Sequence, residues 1–172
     1  MARIHLIEGP VGSGKSTLAS QLSKQFNAPR LILDKWMVTL FSPDRPSESF
    51  INWYVERKDR CINQIWDVAQ GIIATNSDVI LELGLIQHSL REAFYDRVDA
   101  KSYNMKIYVV DASQAVRKER VQQRNLMKGE TFSMEVSAQI FDVANEMWES
   151  IDEAECRHYE VKFMSTDIII NV

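Results

Sequence analysis

Cysteine is scarce in this chain, two in 172 residues, and histidine hardly commoner at three. Cys61 and Cys156 form neither a close metal-ligating pair nor a disulfide framework, and His5, His88 and His158 lack zinc spacing. Free thiols in a reducing compartment are therefore expected. Long apolar runs are missing too: stretches such as VILELGLI (79–86) fall far short of the roughly 20 residues needed to cross a bilayer. Positive charge is not in excess, with 20 Lys and Arg against 24 Asp and Glu and a net charge of -4. That balance argues against a broad nucleic-acid surface, which needs basic residues to displace counterions. The first apolar stretch leads into a glycine turn and not into a small-residue cleavage site, so a cytoplasmic protein is expected. Internal repeats and low-complexity segments are absent as well.

What is present has the balance of a globular domain, 45% hydrophobic and 26% charged. One domain over 1–172 is expected. Runs of branched apolar residues predict strands at 3–8 (RIHLIE), 30–33 (RLIL), 78–83 (DVILEL), 106–110 (KIYVV) and 167–171 (DIIIN). Helical pattern follows the first four. Continuous apolar character and strand-helix alternation predict a three-layer α/β fold around a parallel five-stranded sheet.

Leu18, Leu22 and Phe26 mark the packing stripe of a first helix ending at Asn27. SPDRPSES (42–49), with two prolines, reads as a loop. In the long helix beyond it, Ile62, Ile65, Trp66, Ala69, Ile72 and Ile73 repeat at core spacing, and Trp53, Arg57 and Arg60 fall on the opposite side. Val136, Ile140, Val143, Ala144, Met147, Trp148 and Ile151 predict one further amphipathic helix.

The most informative stretch is GPVGSGKST at 9–17, directly behind the first strand. It fits G-x-x-x-x-G-K-[ST], in which glycines let successive backbone N–H groups turn inward around phosphate oxygens. Gly9, Pro10, Val11, Gly12, Ser13, Gly14, Lys15, Ser16 and Thr17 are the expected nucleotide-binding residues. Lys15 reaches the outer phosphates, Ser16 is placed to ligate magnesium, and the helix start adds its positive dipole end.

Ligands in parallel sheets gather beyond the carboxyl ends of strands, which singles out three acids. Asp34, just past RLIL, is the candidate general base, with helix capping as its alternative reading. Glu82 is an acid in an otherwise apolar strand; magnesium or a basic partner such as Lys15 would meet its need. Asp111 reads as the cap of the following helix. In AVRKERVQQRN, Arg117, Arg120 and Arg124 share one helix face, where they could clamp a transferring phosphoryl group or stack on the base; at least one is expected to act from a lid spanning about 115–135, with a solvated face as the alternative reading. Trp53, Arg57 and Arg60 are candidates for an acceptor pocket, with Asp34, or else an exposed helix face.

Taken together, GPVGSGKST, LILDKWMVTLF, DVILELGLIQHSLREAF and AVRKERVQQRN resemble small bacterial P-loop proteins of AAA-type or kinase-like character. The wider relatives of that group include chloramphenicol phosphotransferase, zeta toxin and the polynucleotide-kinase kinase domain. The resemblance covers most of the chain to about Asn125, and the glycine loop is its most specific part. It implies an adenylate-kinase-like strand order 2-3-1-4-5, ATP with Mg²⁺, and phosphoryl transfer to a hydroxyl. Asp34 matches the family's strand-end aspartate and Arg117, Arg120 and Arg124 its lid arginines. Glu82 departs from the usual aspartate by one methylene. The expectation is an ATP-dependent kinase acting on a small molecule or nucleotide-like acceptor; the alternative is a nucleotide-dependent switch that hydrolyses slowly and has no acceptor.

Overall fold

Branched apolar residues open the chain as strand β1 (Arg3–Glu8), and its alternating side chains feed two separate cores. The structure is a computed structural model that describes residues 1–46, 48, 50–128 and 135–167. The order continues α1 (Lys15–Phe26), β2 (Arg30–Ile32), α2 (Leu33–Leu40), a 3₁₀ turn (Ser42–Asp44), α3 (Phe50–Ala74) and β3 (Val79–Glu82). It goes on through α4 (His88–Asp99), β4 (Asn104–Asp111), α5 (Gln114–Met127), α6 (Ala138–Glu146), α7 (Glu153–His158) and β5 (Glu160–Ser165).

All strand pairs are parallel and the order is β2-β3-β1-β4-β5, as the resemblance implied. In register, Leu6 lies beside Leu81 and Ile107, and Glu8 beside Val109. Ile4 and Leu6 pack with Ile65, Trp66, Ala69, Phe94 and Tyr95 from α3 and α4. Ile7 and Ile80 pack with Leu18, Ala19 and Leu22 of α1 on the other face. Helices on both faces explain the near-continuous apolar strands. None of the helices among the described residues is long and apolar enough to cross a membrane.

Four sequence expectations need correction. β2 ends at Ile32, so Asp34 lies in the first turn of α2 and caps nothing; Ile32 holds the cap position. Ser113, not Asp111, precedes α5 at its cap position, and Asp111 closes β4. The fifth strand is EVKFMS at 160–165, an edge strand whose exposed, mixed pattern hides it among loop-like sequence; positions 168–171 lie outside the described residues, as do lid positions 129–134.

The helix expected across 136–151 stops at Glu146 and a second begins at Glu153. Between them the buried Arg91 takes the carbonyls of Glu149 (2.8 Å) and Ser150 (3.3 Å). Asp152 then starts α7 with a capping box to Glu155. A guanidinium from α4 thus decides where the helix breaks.

Candidate active site

Because every strand is parallel, the C-terminal residues of β1, β2, β3 and β4 arrive at one edge of the sheet, and the glycine loop leaves from its middle. At Gly9 the backbone turns at φ +146°, and a Cβ there would stand 2.1 Å from the carbonyl oxygen of Val110. Gly12, at φ +78°, lies equally tight against the backbone of Arg117, with a Cβ meeting its oxygen at 2.6 Å. The loop can pass between β4 and α5 only without side chains at these two points. Gly9→Ala is accordingly expected to destabilise the fold by roughly 2–5 kcal/mol, the sum of backbone strain and overpacking; a urea midpoint equal to wild type would contradict this.

Lys15 opens α1 and its ammonium bridges the carbonyls of Gly9 (2.9 Å) and Pro10 (2.8 Å), which places the charge across the loop. The Ser16 hydroxyl donates to both oxygens of Glu82, at 3.2 and 3.0 Å. Glu82 ends β3 and is buried; burial pushes its carboxyl above the ordinary range, against the pull of Lys15 and the Ser16 hydrogen bond. A hydroxyl and a buried carboxylate in contact make an oxygen donor set suited to a hard divalent cation.

The three arginines expected to act together have three different surroundings. Arg117 is buried and its fork is filled by protein: Nε donates to Ala112 O (3.0 Å), Nη1 to Val11 O (3.2 Å) and Nη2 to Asn145 Oδ1 (2.6 Å). It braces the loop from behind. Arg120 donates to the hydroxyl of Thr166 (2.8 Å) and to its carbonyl, and that hydroxyl in turn donates to Ser13 O (2.8 Å). It braces the loop through an intermediary. Arg124 is half-buried, its Nε meets no partner among the described residues, and its charge is felt at Glu82. Of the trio, Arg124 is the one whose charge bears on Glu82.

The expected acceptor residues also divide. Trp53 and Arg57 are half-buried and stacked, the guanidinium 4.8 Å from the ring centroid, and Arg57 also donates to Trp53 O and Glu56. Arg60 is exposed and paired with Glu56. About 100° round the helix from Trp53 and Arg57, Tyr54 and Lys58 lie toward Asp34 and Gly84 instead. Burial pushes the Tyr54 hydroxyl up to about 12, with Asp34 adding to the rise. The Lys58 ammonium lies 3.4 Å from Gly84 O and is drawn below its usual range by burial, against the charges of Asp59, Asp34 and Glu8.

Glu8 is the acid that the strand pattern concealed, although a carboxylate closing an apolar strand next to the loop was its signal. It is 1% exposed and its Oε1 has no hydrogen-bond partner among the described residues. Burial pushes its carboxyl up to about 8; Arg91 and Lys15 oppose the rise, and Glu155 and Glu82 add to it. Lys58 and Tyr95 also feel its charge.

That shift makes stability depend on pH. An unfolded glutamate releases its proton near 4.5, whereas folded Glu8 keeps it to about 8. The folded state therefore binds the extra proton across this window, and stability falls as pH rises through it. Glu8→Gln removes that slope. The variant is expected to gain on wild type between about pH 5 and pH 8, by a few kcal/mol in total. Urea unfolding at stepped pH reads the difference, and parallel curves would refute it.

A family model described as an AAA domain matches residues 4–147. No curated protein matches the sequence. Among solved structures, the chain is similar to a kinase candidate from Chloroflexus aurantiacus J-10-fl, with a TM-score of 0.75 at 16% identity over 99% of this chain and 88% of that one. It is similar to a gluconokinase from Sinorhizobium meliloti 1021, with a TM-score of 0.59 at 17% identity over 95% and 82% of the two chains. A further likeness is to a chain of the Pnkp1/Rnl/Hen1 RNA repair complex, with a TM-score of 0.57 at 17% identity over 86% of this chain and 46% of that one. At these identities the likeness is one of fold.

Proposed function

The chain belongs to the AAA_33 family of AAA domains, and from that membership and the polar groups at the strand ends we propose that it is a kinase, transferring the terminal phosphoryl group of ATP to a hydroxyl of a small-molecule acceptor. The observation that carries this reading is the meeting of three things at one sheet edge: the braced glycine loop with Lys15, the Ser16–Glu82 pair, and an acid, Asp34, whose charge reaches Glu82 and Lys58.

In this reading the amides of 12–17 hold the phosphates and Lys15 neutralises the outer ones. Ser16 and Glu82 would hold Mg²⁺, which when bound supplies charge neutralisation to the phosphates. Asp34 accepts the proton of the acceptor hydroxyl as its oxygen forms the new O–P bond; the bond from phosphorus to the bridging oxygen breaks and ADP departs. Arg124 faces the charge that spreads over the transferred group. Arg117 and Arg120 act by keeping the loop in shape. Trp53 and Arg57 form the outer wall of the acceptor side. The free, buried Cys61 and the free, exposed Cys156 fit a reducing cytoplasm.

The deciding experiment incubates the purified chain with Mg²⁺, γ-labelled ATP and a mixture of hydroxyl compounds. Label is expected on an organic product. Release of inorganic phosphate alone would favour a hydrolysing switch, and label on the 5′ end of an oligonucleotide would move the acceptor to nucleic acid.

A further inference from the structure

The α3 side of the strand ends holds three polar groups whose hydrogen-bonding capacity the described residues leave unfilled. Glu8 shares its face of β1 with Ile4 and Leu6, and is surrounded by Arg91, Tyr95 and Lys58 from α4 and α3. Its Oε1 is buried without a donor among the described residues. Lys58 has three donors and, among the described residues, makes one long contact, 3.4 Å to Gly84 O. Asp34, half-buried at the start of α2, makes no hydrogen bond among the described residues while its charge reaches Lys58 and Tyr54. Leaving a buried polar group unfilled is costly, and such groups are rare enough in folded proteins to call for a reason.

Their needs are complementary to one kind of molecule. Asp34 wants a donor, Lys58 wants acceptors, and the Glu8 carboxyl can take either. A hydroxyl both donates and accepts, and hydroxyls on adjacent carbons answer all three groups at once. On this side the two guanidiniums among the described residues, Arg91 and Arg57, are already engaged by protein. Arg91 is filled by Glu155 and by the carbonyls of Glu149 and Ser150, and Arg57 is held by Trp53 and Glu56.

We propose that Glu8, Lys58 and Asp34 form the acceptor subsite and that it takes an uncharged polyhydroxylated molecule, a sugar or polyol, with Asp34 at the reacting hydroxyl and Glu8 and Lys58 on its neighbours. The proposal rests on the kinase reading for the role of Asp34. Local charge agrees with it: Lys58 is balanced by Asp34, and a Glu8 that holds its proton at neutral pH adds none. A phosphorylated or carboxylated acceptor would instead bring its negative charge against Asp34, with Arg91 held by Glu155 and the charge of Arg124 bearing on Glu82 on the phosphate side.

Calorimetry on the full chain, saturated with a non-hydrolysable ATP analogue and Mg²⁺, tests the subsite directly. The neutral probes are D-glucose, D-ribose, ribitol and myo-inositol; the anionic ones are D-gluconate and AMP. At least one neutral probe is expected to bind, and Glu8→Leu and Lys58→Met are each expected to weaken it by about tenfold or more, with affinity for the ATP analogue as the control for folding. Silence from every neutral probe, binding of the anionic probes alone, or wild-type affinity in a folded variant would each overturn the proposal. Should Glu8→Leu fail to fold, Lys58→Met carries the test. A neutral probe that binds at this subsite yet never gains phosphate from ATP would refute the kinase reading and leave the subsite standing.

Discussion

Asp34→Asn is expected to keep the affinity for ATP and to lose phosphoryl transfer by roughly 10²- to 10⁴-fold, the usual worth of a positioned general base. The exchange conserves shape. Asn retains the space and the hydrogen-bonding reach of the side chain but cannot accept the hydroxyl proton as a carboxylate does. Its setting favours a base: Asp34 lies in the first turn of α2, where the helix field supports a negative charge, and no hydrogen bond among the described residues holds its oxygens elsewhere. The loop and Lys15 are separate from it in the chain, so binding of the triphosphate has no cause to change. Steady-state transfer to the acceptor found by labelling, beside calorimetry with ATP, separates the two effects. Unchanged turnover would remove Asp34 from this role, and weakened ATP binding would make it a structural residue of the loop.

The second large effect concerns stability. Arg91→Leu is expected to destabilise the protein by about 3–5 kcal/mol, because it leaves a buried carboxylate without its partner. Arg91 is 0% exposed and grips Glu155 with both arms, Nε to Oε1 at 2.7 Å and Nη2 to Oε2 at 3.0 Å. The Tyr95 hydroxyl donates to the same carboxylate at 3.0 Å, and the Trp148 ring lies 5.6 Å from the guanidinium. Burial alone would raise the Glu155 carboxyl; the hydrogen bonds from Arg91 and the Asp152 backbone outweigh it and hold the group below its ordinary range.

A double change tests this cause against simple loss of packing. Arg91→Leu with Glu155→Met removes both charges, and apolar replacements of similar volume often recover most of the loss. Urea unfolding is therefore expected to show a deep drop for the single variant and partial recovery for the pair. If the two losses simply add, the ion pair is not the reason. The pair matters beyond stability, because Arg91 also faces Glu8 electrostatically and fixes the 149–150 carbonyls. It ties the C-terminal segment to the layer beneath the acceptor side.

The glycine loop was legible because its requirements are local. A positive φ and the start of a helix involve residues adjacent in the chain, and nine consecutive letters state both; the absence of a Cβ at Gly9 and Gly12 is also demanded from afar, by Val110 and Arg117. The buried strands were legible for a similar reason, since a strand covered on both faces must be apolar throughout. β5 was not, because an edge strand carries no such demand, and its sequence resembles the polar surface it joins.

The arginines show where pattern stops being enough. Arg117, Arg120 and Arg124 fall on one helix stripe, and spacing alone treats them as equivalent. Their roles diverge because Asn145, Thr166 and Glu82 come to meet them from distant parts of the chain. Trp53 and Arg57 likewise looked like the acceptor face of α3, yet Lys58 and Tyr54 turn toward Asp34, since the helix settles by burying Ile65, Trp66 and Ala69 and that fixes where every other side chain looks.

Local chain chemistry, then, was enough to mark the glycine turn, a layered α/β frame and the acid that follows the second strand. Only the folded chain decided that Glu8 holds a proton, that Arg124 is the arginine of the trio whose charge bears on Glu82, and that a guanidinium from α4 breaks the last long helix. Much of the backbone conformation is written by neighbours in sequence, but not where a distant group takes its carbonyls, as Arg91 does at 149–150. The charge and reach of a side chain depend on what lies around it in space, on the donors and acceptors nearby and on the water that has been excluded.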